Sequence, residues 1–329
     1  MEDKTLEQAE AHLLYVSSSP HVHTDESTRR IMIDVCIALL PALVASVVIF
    51  GFSALLITAV CVVFAVLGEA AVEKIRGQEL TISDFSAVVT GILLAFNLPA
   101  GFPLWKAAVA ALFSIVVVKQ LFGGLGQNFM NPALAGRVFL MAAWPSDLSA
   151  TPYPFGIVPA GAGSGADAMT AATPLSHGPV PSLWNLFIGN VPGMLGEVSA
   201  LALLIGAAYL LWRGVIRARI PVAMIGSFVV FTILFGAIQG NLNIGGVPAE
   251  VLSGGLILGA LFMATDYTTT PVTLKGQLIF GIGCGFLTAL IRHFGTLPEG
   301  VSYSILLMNI ATPLIDKFVK NVPFGGTAR

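Results

Sequence analysis

Apolar runs punctuated by glycine, proline or charge recur along the whole chain. They fall at 31–50, 54–73, 83–98, 103–122, 132–144, 196–212, 219–238, 251–266, 276–293 and 300–318. Most approach the roughly 20 residues that cross a hydrocarbon layer as a helix. In lipid, an open-ended segment satisfies its own backbone hydrogen bonds only as a helix, so the runs predict helices rather than strands. The expected fold is an all-α polytopic membrane protein of about ten transmembrane helices.

Composition agrees with that pattern. Of 329 residues, 56% are hydrophobic and 10% charged, against about 25% charged in a soluble domain. This balance excludes a soluble enzyme and a disordered chain. Net charge is −2, from 16 Lys and Arg against 18 Asp and Glu, so no nucleic-acid surface is expected. Cys36, Cys61 and Cys284 each lie inside an apolar run without a CxxC partner. They read as small core thiols rather than as metal or cluster ligands. The polar, acidic start of the chain does not read as a cleaved signal peptide.

Basic residues orient the spans. With the N-terminus inside, twelve fall on the inner side: Lys4, Arg29, Arg30, Lys74, Arg76, Arg213, Arg217, Arg219, Lys275, Lys317, Lys320 and Arg329. Only Lys106 and Arg292 fall outside, while Lys119 and Arg137 sit at span ends facing inward. The positive-inside rule therefore predicts a chain with both termini in the cytoplasm. The segment 145–182, rich in Pro, Gly, Ala and Ser and without Lys or Arg, then faces outward. Loops of this length in a compact fold are usually functional or disordered.

This loop divides the chain. Residues 1–30 form a cytoplasmic N-terminal segment, 31–144 a first group of five spans and 145–182 the outer loop. Residues 183–320 form a second group of five, and 321–329 a cytoplasmic tail. The groups resemble each other faintly: span three (TGILLAFNLPAGFP) and span eight (SGGLILGALFMATDYTTTP) share a rhythm, and Phe122-Gly123 and Phe294-Gly295 follow spans four and nine. An odd number of spans per copy makes the second copy inverted. The expectation is two inverted five-helix repeats with interrupted third spans, which point to a site near the midplane.

Two stretches carry candidate chemistry. In the outer loop, Asp167-Ala168-Met169-Thr170-Ala171-Ala172-Thr173 is, taken bare, a polar stretch with one acid and two hydroxyls. On the inner side, Gly123, Gly124 and Gly126 precede Asn128 and Asn131-Pro132. The glycines allow close backbone approach, and the two amides stand three residues apart. These amides suit either a polar planar ligand or the capping of a helix that Pro132 opens.

The outer stretch resembles the D-x-x-[S/T]-[G/A]-A-T signature of the Rnf and Nqr ion-translocating oxidoreductases, whose final Thr is esterified to the phosphate of FMN. Ala171 stands where Gly is usual. The inner stretch resembles the GG-x-G-x-N-x-x-NP-A segment of the same family, where the asparagines lie at a noncovalent riboflavin. Further stretches at the start, at span six and near the end extend the resemblance over nearly the whole chain, most closely to the Rnf D-type subunits. The resemblance implies covalent FMN on Thr173, with Asp167, Thr170 and Ala172 around it. It also implies riboflavin near Asn128, Asn131, Gly123 and Gly124. It further implies a bacterial cytoplasmic membrane, partner subunits bearing flavin or iron–sulfur centres, a flavin transferase for maturation, and no activity of the chain alone.

Other groups carry weaker signals. Asp266, Glu197 and Asp34 lie near span ends and Glu69 in the last turn of span two, where an ion path competes with snorkelling and capping. His177 lies four residues beyond Thr173, within reach of a flavin phosphate or simply solvated. Leu6, Ala9, Leu13 and Val16 suit an interfacial helix or a docking strip. The rival functions are a solute transporter or channel of urea-transporter-like architecture, an Nqr-type B subunit, and a structural membrane subunit. A covalent flavin separates the redox readings from the transporter and structural ones.

Overall fold

The computed structural model describes residues 27–156, 170–171, 182–240, 243–295 and 299–319. Helices α1 (Thr28–Phe50) and α2 (Phe52–Ile75) are joined by Gly51 alone, which turns the chain at φ 76°. Helix α3 (Ser86–Phe96) follows, and α4 (Leu104–Leu112) runs directly into a π-helical stretch, Phe113–Gln120. Helices α5 (Pro132–Ala143) and α6 (Pro145–Ser149) lead to a two-residue strand β1 (Thr151–Pro152), antiparallel to β2 (Thr170–Ala171).

Beyond the loop come α7 (Leu183–Ile188), α8 (Ala200–Trp212), α9 (Arg219–Ile238) and α10 (Val247–Leu252). Helix α11 (Leu256–Leu258) continues into a second π stretch, Gly259–Met263. Helices α12 (Leu274–Phe294) and α13 (Val301–Phe318) complete the fold.

Each apolar run in the sequence holds a helix, but the spans are unequal. Helices α1, α2, α9 and α12 are long and apolar enough to cross a membrane. A fifth crossing is counted if Ile244–Leu252 and Leu256–Met263, bent by 65° at their break, form one span. Helix α3 has only 11 residues, a rise of about 17 Å. It stops because Asn97 turns its amide back onto the Leu93 carbonyl at 2.6 Å. The Phe96 and Leu98 carbonyls then accept from the Gly196 and Leu195 N–H groups at 2.9 and 3.0 Å. A helix end inside the bundle is thereby satisfied by a turn at Leu195–Glu197, as an apolar surround demands.

Small residues set the tightest helix contacts. Gly281 and Gly285, spaced as in a GxxxG motif, face α9: a Cβ at Gly285 would lie 2.0 Å from Ser227 Oγ and 2.3 Å from the Met224 carbonyl. A Cβ on Gly206 in α8 would stand 2.0 Å from the Ala38 carbonyl of α1. Helix α1 also packs against α2 and α3, and α13 packs against α5. Large apolar side chains such as Val48, Leu67 and Val222 point outward, the inverse of a soluble surface and the arrangement a lipid solvent favours.

Candidate functional site

The two π stretches converge on one cavity. Lys119, near the end of the first, and Phe262, near the end of the second, both line it. The start of α1 contributes Met32 and Val35, α3 contributes Ser86 and Thr90, and the end of α8 and its following turn contribute Leu210 and Val215. Asn128 and Asn131 stand on one wall, with Asp266 and Tyr267 also lining the space. The enclosed part of the space measures about 100 Å³, less than the roughly 300–1,000 Å³ of most small-molecule sites, and the rest opens outward. Most of its surface is apolar, with a few polar groups directed inward, as such sites require. Irregular π segments are frequent at functional positions because they displace side chains from the α-helical register.

Each polar group on the wall is held by the fold. Lys119 donates to Glu69 Oε1 and to Ser86 Oγ, both at 2.5 Å, and Gln120 donates to the same Glu69 oxygen at 3.0 Å. Lys119 and Glu69 are buried, so the pair offers its charge in a neutral, fixed form. Asp266 is wrapped by its own loop: Thr268 and Thr269 hydroxyls donate to it at 3.1 and 3.3 Å. Asn131 Oδ1 caps α5 by accepting from the Ala133 and Leu134 N–H groups at 3.0 and 3.3 Å. Its Nδ2 donates across to the Met263 carbonyl at 3.3 Å, tying α5 to the second π stretch. Asn128 donates to the Met130 carbonyl at 3.1 Å. A side-chain amide has two N–H donors and a carbonyl acceptor, and each asparagine uses one donor in these bonds.

Asn131 caps α5 and also lines the cavity. Gly123, Gly124 and Gly126 do not line it. They take φ values of 120°, 93° and 87°, left-handed backbone that glycine alone adopts freely, and fold the loop so that Leu125 and Asn128 reach the wall.

Thr170 and Ala171 of the outer stretch lie at the other end of the molecule. Thr170 pairs with Pro152 and Ala171 with Thr151. Pro152, Tyr153 and Phe155 share a surface with Val48, Ile49 and Phe50 at the end of α1. From Val35 at the cavity to Phe50 the helix rises about 22 Å. Asp167, Ala172, Thr173 and His177 lie outside the described residues, as does the 1–26 segment.

A second polar cluster is one that the sequence does not announce. Arg137 and Glu299 form a buried ion pair between α5 and the segment before α13. Arg137 also donates to Asn97 Oδ1 at 2.7 Å. Glu197 is buried nearby, accepting from the Met194 N–H at 3.1 Å. Arg292 donates to the Glu250 and Ser253 carbonyls at 2.7 and 3.1 Å. Arg137 and Lys119 are therefore interior ion-pair partners, each with a carboxylate inside the bundle; Lys119 does stand at the end of its helical stretch, whereas Arg137 lies within α5. Among the described residues no group of His, Cys, Asp or Glu could hold a metal ion.

A profile of the NQR2, RnfD, RnfE family matches residues 15–325. The chain belongs to that family. It is 49% identical over 322 residues to the D subunit of the Na⁺-translocating ferredoxin:NAD⁺ oxidoreductase complex of Acetobacterium woodii, covering 95% of this chain and 96% of that one. It is 43% identical over 338 residues to the D subunit of the proton-translocating ferredoxin:NAD⁺ oxidoreductase complex of Clostridium ljungdahlii, covering 97% and 98%. The D subunit of the ion-translocating oxidoreductase complex of Actinobacillus succinogenes is 35% identical over 341 residues, covering 93% and 96%.

Proposed function

We propose that this member of the NQR2, RnfD, RnfE family is the membrane electron-transfer subunit of an ion-translocating ferredoxin:NAD oxidoreductase complex, working only with its partner subunits. In this reading it sits in the bacterial cytoplasmic membrane as two inverted five-helix repeats with both termini inside. The short α3 and the bent α10–α11 pair, at the third apolar run of each half, support the repeat. Arg29, Arg30, Arg213, Arg217 and Arg219 gather where α1 and α9 begin and α8 ends, which supports the orientation. Thr173, matured by a flavin transferase, carries covalent FMN on the periplasmic loop, with Asp167, Thr170 and Ala172 as its recognition context.

The observation that carries the cofactor reading is the cavity where the π stretches meet. A mostly apolar space with side-chain amides, Asp266 and Tyr267 on its walls has the chemical character to receive the edge of a noncovalent flavin such as riboflavin. A flavin bound there supplies one-electron redox chemistry. The chain's own residues hold and orient it: the remaining amide donors of Asn128 and Asn131 face acceptors on the ring edge, and the apolar wall excludes water. Asp266, fixed by Thr268 and Thr269, offers a carboxylate oriented within the same space. With one flavin at the cavity and one on the outer loop, the sites stand near opposite membrane faces. Tunnelling falls steeply with distance, so carriers in partner subunits must bridge the span.

The transporter reading is disfavoured by the region between the broken elements, which is filled by Phe96, Asn97, Arg137 and Glu299. Flavin stoichiometry tests the proposal. The parent chain should hold two flavins, one released on denaturation, while Asn128→Leu should lose only the released one. A parent without extractable flavin would return Asn128 and Asn131 to structural roles.

A further inference from the structure

At the end of the bundle where α1 begins and α8 ends, a cleft is lined by Arg29, Arg30, Ile33, Tyr209, Trp212 and Arg213, with Asp34 at its base. Asp34 is already engaged: Tyr209 donates to Oδ1 at 2.8 Å, and Arg213 donates to Oδ2 through Nε and Nη2 at 3.2 and 2.9 Å. This fixes the Arg213 guanidinium at the mouth. Among the described residues, neither Arg29 nor Arg30 has a carboxylate within ion-pair distance. Arg29 lies 5.8 Å over the Phe85 ring. Both arginines occupy the first turn of α1, which contains no acidic residue. Cations there oppose the positive end of the helix dipole, an arrangement that an external anion relieves.

The cleft continues into an apolar track. Ile33, Ile37, Leu40, Val44 and Val48 recur three or four residues apart, on the helix face that begins with Arg29 and Arg30. Of these, Val44 and Val48 are 60% and 65% exposed. Trp212, 82% exposed, stands beside the cleft, and an amphipathic indole favours headgroup depth. An anionic head and apolar tails are thus accommodated by adjoining surfaces of one helix.

We propose that this cleft is a binding site for an anionic phospholipid, with the phosphodiester held by Arg29, Arg30 and Arg213 and an acyl chain laid along Ile37, Leu40, Val44 and Val48. Basic pockets between membrane helices take such headgroups, and each cation near the surface adds to the attachment. The site is distinct from the flavin cavity and does not depend on the redox reading.

The test uses the full chain in detergent, titrated with phosphatidylglycerol or phosphatidylcholine and read by native mass spectrometry. The parent should bind phosphatidylglycerol in clear preference. Arg30→Gln should weaken it about fivefold and Arg29→Gln/Arg30→Gln about thirtyfold, while Arg217→Gln, outside the cleft, should leave it unchanged. Both arginines are exposed, so the variants should fold. A brominated phosphatidylglycerol should also quench Trp212 in a chain whose other tryptophans are replaced by Phe. Equal binding of the two lipids, or an unaffected double variant, would overturn the proposal. Displacement by excess inorganic phosphate would make the cleft a free-anion site and overturn the lipid assignment. A preference that emerges only when residues 1–26 are removed would assign the cleft to that acidic segment, with the same result.

Discussion

Replacing Glu299 with Leu should damage the fold far more than the loss of one exposed charge would. Arg137 is 2% exposed and Glu299 7%, and the Arg137 Nε and Glu299 Oε1 atoms have no hydrogen-bond partner among the described residues. The pair is thus desolvated without being fully compensated, so its net worth against an apolar replacement is small. Removing only the carboxylate is different, because it leaves a buried guanidinium with Asn97 as its remaining direct partner. Breaking a buried pair from one side costs about 3–5 kcal/mol, whereas apolar replacement of both partners is often neutral. Glu299→Leu and Arg137→Leu should each lose a stability of that order, out of a total of about 5–15 kcal/mol for a typical domain. The double variant should recover part of the loss, since Glu197 gives up Arg137 as a counter-charge and keeps Arg292. The assay is equilibrium unfolding of the purified chain in mixed detergent, read by tryptophan emission for the parent, both singles and the double. A double variant as impaired as the sum of the singles would refute the reasoning, because it would mean that the two charges act independently.

Close helix contacts and the α5 cap give further expected outcomes. Gly206→Ala should separate α1 from α8, since its Cβ would meet the Ala38 carbonyl at 2.0 Å. Backbone cannot yield as a side chain does, so a loss near the upper end of about 1–3 kcal/mol is expected in the same unfolding assay. Gly285→Ala should act alike on the α9–α12 contact, while Gly226→Ala, with nothing within 4 Å of its Cβ, should be tolerated. Asn131→Ser should keep the α5 cap within a few tenths of a kcal/mol, and Asn131→Leu should lose about 1 kcal/mol. Both should release the noncovalent flavin if the amide is a ligand, and retention of flavin in Asn131→Ser would confine Asn131 to capping.

Much of the helical layout is legible because glycine, proline and charge punctuate the apolar runs at the places where helices end. Asn97-Leu98-Pro99 marks the break after Phe96, and Ser253-Gly254-Gly255 marks that within span eight. The π stretches are not legible, because Phe113–Gln120 and Gly259–Met263 have the composition of ordinary apolar helix and leave the α register only in their tertiary setting. The pairing of Arg137 with Glu299 joins residues 162 apart, which no local pattern reveals. The asparagines present a choice between ligand and cap that sequence cannot resolve, since one wall of the cavity is built from the first turn of a helix. The Gly281–Gly285 spacing is readable as a close helix contact, but its partner helix is not.

The proposed function stands on flavin at two places in this chain, one of them a covalent bond to Thr173. Its most direct test is ultraviolet fluorescence of the denatured, electrophoretically separated chain, together with a flavin count on the folded protein. Fluorescence should persist in the parent, disappear in Thr173→Val and survive in Asn128→Leu, with the count falling from two to one in either variant. A parent band without fluorescence, or a fluorescent Thr173→Val band, would contradict it.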